Sequence, residues 1–324
     1  MAGPAECTFA AVRALITDAV DPLLPAGLRE LGYAVDYEPS LTLDEVRRRA
    51  SDYAGLVINS RILVDRAFLD AAPRLRWVGR LGSGLEIIDR AYAKTRGVQV
   101  IASPEGNAPA VGEHALAMLL ALANKLLLGH RQVTTHRWDR EAARGWELKY
   151  RTVGIIGYGH TGPAFAKTLR GFGCRVLAYD KYRAEFAAGT PWGEAAATAD
   201  EVLAEADVVS LHLPLTDETR GYLGADELSR LRPGTVVVNT SRGACVDLPA
   251  LVDALEGGRL GGACLDVFPN EKPARHTPAE RAVMDRLAAL PNVVLSPHVA
   301  GWSAESKRAL AQIILDRVGE RHAD

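Results

Sequence analysis

The sequence predicts an α/β protein with two domains, each built around a parallel β-sheet. Three observations support this prediction. The chain has 324 residues, which is longer than one hydrophobic core usually serves, so two domains are expected. Apolar runs of strand length alternate with helical patterns along most of the chain, as is typical of parallel sheets. A glycine-rich turn at residues 157–162 comes only after a full set of these strands and helices.

The first domain is predicted from five apolar runs that each have the length of a strand. These runs span residues 12–16, 34–37, 55–58, 77–81 and 98–101. Helical stretches lie between them, around residues 23–31, 43–50 and 64–71. This alternation of strands and helices favours a parallel sheet covered by helices.

A long apolar helix is predicted to follow the first domain. Prolines at positions 104 and 109 interrupt the chain, and the helix is expected over residues 110–128 with Asn107 as its N-cap. Because it is apolar on nearly every face, it needs cover on more than one side. Its own sheet could provide all of this cover, but we expect a second copy of the chain, in a homodimer, to provide part of it.

Six further strands are predicted in the second half of the chain. They span residues 153–156, 176–179, 208–211, 236–239, 263–267 and 293–295, a number that matches a doubly wound domain. Residues 130–149 are predicted to form an irregular arm, and the final helix, at 303–318, could cross back onto the first domain. We therefore expect one domain at 1–103 plus 300–324 and the other at 104–299.

Composition excludes several classes of partner. Lys plus Arg number 38 against 40 for Asp plus Glu, with no basic block, so a nucleic-acid partner is not expected. No uninterrupted apolar run reaches about 18 residues and the N-terminus lacks a signal-peptide pattern, so we expect no membrane partner and a cytoplasmic location. The cysteines lack C-x-x-C spacing, which predicts free thiols and no metal site; they are Cys7, Cys174, Cys245 and Cys264.

The central glycine turn has the pattern of a dinucleotide-binding site. Residues 153–162 read VGIIGYGHTG, an apolar strand that leads through Gly157, Gly159 and Gly162 into a helix. The first glycine permits a tight turn, the second lets the backbone approach a pyrophosphate, and the third lets the helix pack close to the strand. The free N–H groups at the start of the helix then face the phosphates.

The acid at the end of the next strand predicts which dinucleotide is bound. Asp180 follows the apolar run at residues 175–179. A carboxylate there accepts hydrogen bonds from the ribose 2′-OH and repels a 2′-phosphate, which favours NAD over NADP. Lys181 and Arg183 follow closely and could weaken that preference.

Three ionisable residues, Arg242, Glu271 and His298, follow the late strands of the second domain. Ligands of open α/β sheets bind beyond the carboxyl ends of the strands, so these groups are candidates for catalysis. A guanidinium can bind a carboxylate or carbonyl through paired N–H donors, and an imidazole exchanges protons near neutral pH. Glu271 would orient His298 if the two are hydrogen-bonded. Each residue could instead be structural, with Arg242 paired to Asp247.

Together with five further motifs, these residues resemble the D-isomer-specific 2-hydroxyacid dehydrogenase family, and its phosphoglycerate dehydrogenase-like branch most. The motifs lie at residues 80–89, 104–114, 206–219, 231–247 and 262–268. The resemblance covers nearly the whole chain. It implies a Rossmann NAD-binding domain with a doubly wound parallel sheet, inserted into a flavodoxin-like substrate domain that the last helix rejoins. The longer phosphoglycerate dehydrogenases of this family often carry a C-terminal regulatory domain; because this sequence stops at Asp324, we expect no feedback control by a bound amino acid.

The resemblance implies a site for each step of the family's reaction. Arg242, Glu271 and His298 correspond to the catalytic residues, and Asp266 to an acceptor for the nicotinamide amide. Amides of the loop Gly82, Ser83 and Gly84 correspond to a carboxylate site, and Asn107 and Arg242 also belong to the substrate site. The expected cofactor contacts are Gly157, Tyr158, Gly159, His160, Thr161, Gly162, Asp180, Lys181, His212, Leu213, Pro214, Thr219, Thr240, Ser241, Asp266, His298 and Gly301.

Two arginines bear on the substrate, which the sequence leaves open. Arg61 and Arg80 could add positive charge for a phosphate or a second carboxylate, or they could be structural. In contrast, His114 on the apolar helix is expected to be a satisfied structural residue.

The expected activity is hydride transfer between NAD(H) and C2 of a small D-2-hydroxy or 2-oxo acid, with 3-phosphoglycerate as one candidate. Reduction of glyoxylate or hydroxypyruvate is the alternative. A second class is an NAD-sensing corepressor, but no added interaction tail is visible, which favours an enzyme.

Overall fold

The computed structural model describes residues 12–183 and 192–323. The chain divides into two compact units, one of Met1–Asn107 with Ala304–Asp324 and one of Ala108–Ser303. Both crossings between units lie a few residues later than the sequence analysis places them. Each unit contains its own parallel sheet.

The first unit has a five-stranded parallel sheet in the order β2-β1-β3-β4-β5. This 2-1-3-4-5 order is that of flavodoxin-like folds, which confirms the predicted fold class. The strands are β1 (Arg13–Ile16), β2 (Ala34–Tyr37), β3 (Gly55–Ile58), β4 (Trp77–Arg80) and β5 (Gln99–Ala102). The helices are α1 (Leu23–Glu30), α2 (Leu43–Arg49), α3 (Arg66–Ala71), α4 (Arg90–Thr95) and, at the end of the chain, α12 (Ala304–Ala323).

The last helix returns to the first unit, as the sequence analysis expects. Leu310 and Ile314 of α12 are buried in one core with Ile16 of β1 and Trp77 of β4. The approach of α12 to α1 is so close that a Cβ at Gly27 would lie 2.6 Å from Leu315 Cδ1. The C-terminal helix is therefore part of the core of this unit.

The long apolar helix differs from its prediction at both ends. Helix α5 spans Pro104–Ala123, so it begins at a proline, a residue well suited to the first turn of a helix. Asn107 lies inside α5, and its predicted role as the N-cap is wrong. Lys125 has a left-handed φ of 49°, which ends the first helix and starts α6 (Leu126–Thr134). The predicted irregular arm is consequently helical in its first part.

The second unit contains a seven-stranded parallel sheet in the order β12-β11-β10-β9-β6-β7-β8. Counted from β6, this is the 3-2-1-4-5-6 order of a Rossmann sheet with one strand added, which confirms the predicted class. The strands are β6 (Thr152–Ile156), β7 (Arg175–Tyr179), β8 (Glu194–Ala195), β9 (Val208–Leu211), β10 (Val236–Asn239), β11 (Gly262–Leu265) and β12 (Val293–Leu295). Its further helices are α7 (Thr161–Leu169), α8 (Ala199–Glu205), α9 (Ala225–Arg230), α10 (Leu248–Glu256) and α11 (Pro278–Ala289).

Helices cover both faces of the second sheet. On one face, Leu119 of α5 and Phe165 of α7 pack with Ile155 of β6. On the other, Leu251 of α10 packs in a core that contains the neighbouring residue Ile156. Successive residues of β6 therefore face opposite cores, which explains why parallel strands of this kind appear as continuous apolar runs.

The described residues carry neither a membrane-spanning helix nor a metal-binding cluster. No single helix there is long and apolar enough to cross a membrane, and α5 and α6 meet the criterion only as a pair bent by 58°. No group of three or more His, Cys, Asp or Glu side chains in these ranges could hold a metal ion. Cys174, Cys245 and Cys264 are free thiols, whereas Cys7 lies outside the described residues.

Candidate active site

The glycine turn between β6 and α7 has the geometry that its sequence predicts. Gly157 has a φ of +93°, and a Cβ there would lie 2.5 Å from the carbonyl oxygen of His212. A Cβ on Gly162 would lie 2.2 Å from the Gly157 carbonyl oxygen, whereas one on Gly159 would meet no described atom within 4 Å. Gly157 and Gly162 are thus required by the fold. The open space at Gly159 fits the approach of a dinucleotide pyrophosphate.

This contrast predicts different effects for two alanine substitutions. Gly162→Ala should lower the melting temperature of the cofactor-free protein, because overpacking typically costs about 1–3 kcal/mol. Gly159→Ala should change it little, since Gly159 has no left-handed φ and its Cβ would meet open space, but it should weaken NADH binding. Thermal unfolding and fluorescence titration with NADH measure the two effects. Wild-type NADH affinity in Gly159→Ala would remove the proposed role of this glycine.

Asp180 connects the end of β7 to the glycine turn. Its carboxylate accepts hydrogen bonds from the backbone N–H of Tyr158 at 2.6 Å and of Tyr182 at 2.9 Å. Arg183 donates to the carbonyl oxygens of Tyr158 and Gly159 at 3.0 and 3.1 Å. The acid therefore lies against the turn, where a ribose contact is possible, and that contact stays a prediction.

His212 is a buried residue that contacts the start of α7, directly after the glycine turn. The ring is buried, with Nε2 2.9 Å from Ser210 Oγ and Nδ1 3.0 Å from Thr161 Oγ1. Burial lowers the pKa of His212 to about 3, so the imidazole is neutral at physiological pH. Beyond it, Thr219 Oγ1 donates to the Pro214 carbonyl oxygen at 2.6 Å and fixes the adjacent loop.

The buried His212 predicts an acid-side loss of stability. A histidine in an unfolded chain titrates near pH 6.5, while the folded pKa is about 3 because of burial. As the pH falls below about 6.5 the unfolded state takes up the proton first, so this residue costs up to about 1.4 kcal/mol per pH unit. His212→Asn should therefore give a shallower decline of unfolding free energy between pH 7 and pH 5 in urea titrations.

The matched control for this prediction, measured without cofactor, is His160→Asn, which replaces an exposed histidine at the start of α7. It should keep the wild-type slope of stability against pH. An identical slope in the wild type and in His212→Asn would show that the buried imidazole does not govern the decline.

The three strand-end residues lie at the same edge of the second sheet. The register pairs Asn239 with Leu265 and Leu265 with Leu295, so β10, β11 and β12 end together. Arg242, Glu271 and His298 follow these three strands in that order. The sheet thus brings residues that are far apart in sequence to one edge.

Glu271 and His298 are hydrogen-bonded to each other. The sequence analysis requires this bond if Glu271 is to orient the ring of His298. Glu271 Oε2 lies 2.8 Å from His298 Nδ1, and the two side chains are 40% and 49% exposed. Burial alone would raise the pKa of Glu271, but the hydrogen bond with His298, the charge of Arg242 and the Phe268 N–H together lower it. The carboxylate is therefore ionised and orients a half-exposed imidazole, whose Nε2 is the ring nitrogen not held by Glu271.

A buried asparagine shapes the loop that carries Arg242. Asn239 Nδ2 donates to the Arg242 carbonyl oxygen at 3.0 Å, and Oδ1 accepts from the N–H and hydroxyl of Ser241 at 3.0 and 2.8 Å. Arg242 Nη1 donates to the Ser241 carbonyl oxygen at 2.8 Å. In the same loop, Thr240 Oγ1 is buried and has no hydrogen-bond partner among the described residues. An unsatisfied hydroxyl fits a ligand contact at a position predicted to bind the cofactor.

Asp247, the partner of Arg242 in the structural alternative, begins a helix. Asp247 is the N-cap of α10, where its side chain accepts a hydrogen bond from the Ala250 N–H at 3.1 Å. An Asp at this position stabilises the start of a helix. Asp247 therefore has a structural role of its own.

Asp266 organises the loop that carries His298. Its buried carboxylate accepts hydrogen bonds from Ser296 Oγ at 2.6 Å, the Val299 N–H at 2.9 Å and the Ala300 N–H at 2.8 Å. Its carbonyl oxygen accepts from the N–H of His298 at 2.7 Å. These bonds hold His298 in a left-handed conformation with φ of 55°, which is rare for residues other than glycine. The contact of Asp266 with a nicotinamide amide stays a prediction.

His114 has a hydrogen-bond partner within the protein, which agrees with the expectation of a satisfied residue. Its Nε2 lies 2.9 Å from Ser296 Oγ and 3.6 Å from Asp266 Oδ1. Ser296 thereby connects α5 to the loop of His298. Sequence reasoning missed Ser296 and Asn239, although each is polar at or beside the end of a buried strand, which is the available signal.

The predicted carboxylate site lies in the first unit, directly after β4. Gly82 has a φ of +136°, and a Cβ there would lie 1.6 Å from Arg80 Nη1, so the guanidinium packs against this turn. The Gly82 N–H already donates to Ser103 Oγ at 3.2 Å. In contrast, the N–H groups of Ser83 and Gly84 have no acceptor in the described part of the chain. These two amides fit an anion better than the amide of Gly82 does.

Arg61 is held by its own unit. Its guanidinium donates to Asp18 Oδ1 at 3.0 Å and to the carbonyl oxygens of Pro39 at 2.9 Å, Leu41 at 3.1 Å and Thr17. These contacts satisfy donors on all three nitrogens and favour the structural alternative. Its role in substrate binding stays a prediction that this geometry does not support.

Unlike the guanidinium of Arg61, the side chain of Asn107 has an atom without a hydrogen-bond partner in the described structure. Its Oδ1 is buried and has no hydrogen-bond partner among the residues that the structure describes. An acceptor left in this state costs free energy unless a ligand supplies a donor. The predicted role of Asn107 in substrate binding therefore remains a proposal with structural support.

Comparison with known proteins shows which family the chain is similar to. Residues 116–300 match the family model described as "D-isomer specific 2-hydroxyacid dehydrogenase, NAD binding domain". The protein belongs to this family. The matched segment contains the glycine turn and all three strand-end residues, and it assigns NAD as the cofactor of this domain.

Several relatives of this D-2-hydroxyacid dehydrogenase family member are known. It is 34% identical over 295 residues to D-3-phosphoglycerate dehydrogenase from Archaeoglobus fulgidus, which covers 90% of this chain and 54% of the relative. A D-lactate dehydrogenase structure from Aquifex aeolicus, complexed with NAD and lactic acid, has a TM-score of 0.82, 26% identity and 94% coverage of both chains. An NADPH-dependent glyoxylate/hydroxypyruvate reductase from Sinorhizobium meliloti, in complex with NADP and malonate, has a TM-score of 0.77 at 29% identity, covering 95% of this chain and 93% of its own. The chain spans about half the length of the curated relatives it matches.

Proposed function

We propose that the protein is an NAD-dependent D-2-hydroxyacid dehydrogenase that transfers a hydride between NAD(H) and C2 of a small 2-hydroxy or 2-oxo acid. The observation that carries this proposal is the Glu271–His298 hydrogen bond of 2.8 Å at the sheet edge where Arg242 also lies. A proton-exchanging group and a fixed positive charge are the two functions that alcohol oxidation requires from the protein.

The proposed proton transfer takes place at Nε2 of His298. Bound NAD(H) supplies or accepts the hydride at its nicotinamide ring. During oxidation, Nε2 accepts the proton of the substrate hydroxyl, and during reduction the protonated ring returns it. Glu271 holds Nδ1, which fixes the ring orientation and stabilises the imidazolium that forms.

Binding of the substrate is proposed to use charge and backbone amides. Arg242 stabilises the negative charge that develops on the C2 oxygen, since a guanidinium presents paired N–H donors. The N–H groups of Ser83 and Gly84 bind the carboxylate, in a turn against which the Arg80 guanidinium packs. Asn107 Oδ1 accepts a hydrogen bond from a further substrate hydroxyl.

The proposed substrate is 3-phosphoglycerate or a close analogue. The 34% identity to an archaeal D-3-phosphoglycerate dehydrogenase supports this choice, and Arg80 supplies positive charge beside the proposed carboxylate site. Glyoxylate or hydroxypyruvate is the second candidate, because the 29% identical S. meliloti structure is a reductase of that kind.

The test is a panel of 2-oxo acids with NADH, followed by near-ultraviolet absorbance. The panel contains phosphohydroxypyruvate, hydroxypyruvate, glyoxylate and pyruvate, each at equal concentration. We expect NADH oxidation that is fastest with phosphohydroxypyruvate; faster oxidation with glyoxylate or hydroxypyruvate would replace the substrate assignment. Cofactor binding without turnover on any acid would contradict the enzyme and favour the corepressor-like alternative.

We also propose that the protein is a homodimer through its NAD-binding domain. Apolar side chains in and after α6 are exposed: Leu126 is 57%, Leu127 54%, Val133 58% and Trp138 80% accessible. No residue of α6 is buried, so a second copy of the chain is the cover we propose for this surface. Light scattering coupled to gel filtration should give twice the mass of one chain, and the mass of a single chain would contradict the dimer.

We propose a cytoplasmic location for the protein. The three described cysteines are free thiols, as is usual in a reducing compartment.

A further inference from the structure

Glu218 binds the residue that directly follows Asp180. Its carboxylate forms an ion pair with Lys181 Nζ through Oε1, and Oε2 accepts a hydrogen bond from the Tyr182 hydroxyl at 2.8 Å. The two groups come from separate loops, one after β7 and one after β9. Glu218 thereby holds the side chains of the two residues that follow Asp180.

Lys181 and Arg183, which follow Asp180 in the described part of the chain, are both engaged by acceptors within the protein. Lys181 is paired with Glu218, and Arg183 donates to the carbonyl oxygens of Tyr158 and Gly159. In dinucleotide-binding domains, selection of NADP depends on a cation near the end of this strand that binds the 2′-phosphate. The cations are therefore present in this chain, but they are bound to acceptors of the protein itself.

We propose that Glu218 is a selectivity residue that favours NAD over NADP by keeping the Lys181 ammonium away from a 2′-phosphate. The inference rests on the NAD-binding domain, not on the proposed dehydrogenase reaction. Asp180 excludes the 2′-phosphate by repulsion, and Glu218 engages the adjacent Lys181, whose charge would otherwise offset that repulsion. Selectivity is thus determined by two acids, only one of which lies in the fingerprint of the fold.

The ion pair persists at neutral pH. Its hydrogen bond to Glu218 raises the pKa of Lys181, and the hydrogen bonds from Lys181 and Tyr182 lower the pKa of Glu218. Both shifts widen the pH range in which the two groups carry opposite charges. Because the pair is exposed, the Lys181 ammonium can turn to a 2′-phosphate at a small free-energy cost once Glu218 is replaced.

The test is fluorescence titration of the purified protein with NADH and with NADPH, without substrate and at fixed ionic strength. Glu218→Gln should lower the ratio of the Kd for NADPH to the Kd for NADH by about fivefold, the scale of one exposed ion pair. Asp217→Asn is the matched control, since it removes the same charge one residue away and forms no ion pair with Lys181 in the described structure. It should keep the wild-type ratio.

A Lys181→Met background separates the proposal from a general effect of charge. The rival explanation is that removal of an acid near the site favours the more negative cofactor through charge alone, without Lys181. If Glu218 acts through Lys181, adding Glu218→Gln to Lys181→Met leaves the ratio unchanged. A fivefold fall that persists without Lys181, or an equal fall in Asp217→Asn, would overturn the proposal, as would an unchanged ratio in Glu218→Gln. Because only binding is measured, a failure of the proposed reaction leaves this result interpretable.

Discussion

Replacing His298 with alanine should lower kcat by about 10²–10⁴, the usual contribution of a positioned general acid–base group. The effect on NADH affinity should be much smaller, because the change removes proton exchange and leaves the glycine turn intact. Steady-state kinetics together with NADH titration measure the two quantities separately. Turnover close to that of the wild type would remove the proton-transfer assignment.

The backbone at this position requires a second variant. His298 has a left-handed φ of 55°, a conformation that costs alanine more free energy than asparagine. His298→Asn should therefore keep the loop held by Asp266 while losing the titrating ring. If both variants lose turnover and only alanine loses thermal stability, the missing imidazole is the cause of the lost activity.

Replacing Arg242 with lysine should lower kcat/KM by about 10²–10³, the scale found for removing one donor to a developing oxyanion. Lysine keeps the charge but cannot present two parallel N–H groups to the C2 oxygen or a carboxylate. The fall should appear with every 2-oxo acid that is turned over, and it should leave NADH affinity comparatively unaffected.

The matched control for Arg242 is Arg232→Lys in the same domain. Arg232 donates to Asp207 Oδ1 at 3.1 Å and to the Glu205 carbonyl oxygen at 3.2 Å, so it belongs to a surface ion pair and not to the sheet edge. This variant should retain wild-type kcat/KM. Equal losses in both variants would point to a general effect on the domain, and no loss in Arg242→Lys would remove the guanidinium from the proposed mechanism.

Much of the fold could be predicted because buried parallel strands are continuous apolar runs. The bounds of β3, β9 and β10, which are buried at every position, coincide with their predictions for this reason. The two-residue strand β8 was missed because Glu194–Ala195 carries no such signal. The ends of α5 were wrong because its first turn is initiated by Pro104 and its break depends on the left-handed Lys125, neither of which periodicity reveals.

The candidate site was predictable where it depends on topology. Residues that follow the late strands must lie at one sheet edge, and the 2.8 Å pairing of Glu271 with His298 agrees with that placement. The hydrogen bonds that the Asp266 carboxylate accepts from the N–H groups of Val299 and Ala300 were not predictable, because they join residues 33 and 34 positions apart through loop geometry. The engagement of Arg61 by backbone carbonyls likewise depends on three dimensions.

The most direct test of the account is a reduction with NADH that carries deuterium at C4 of the nicotinamide. The product formed from the best 2-oxo acid of the panel is analysed by mass spectrometry and by chiral chromatography. The account predicts a D-2-hydroxy acid with one deuterium bonded to C2. A product without deuterium at C2, or with the L configuration, would contradict hydride transfer by a D-2-hydroxyacid dehydrogenase.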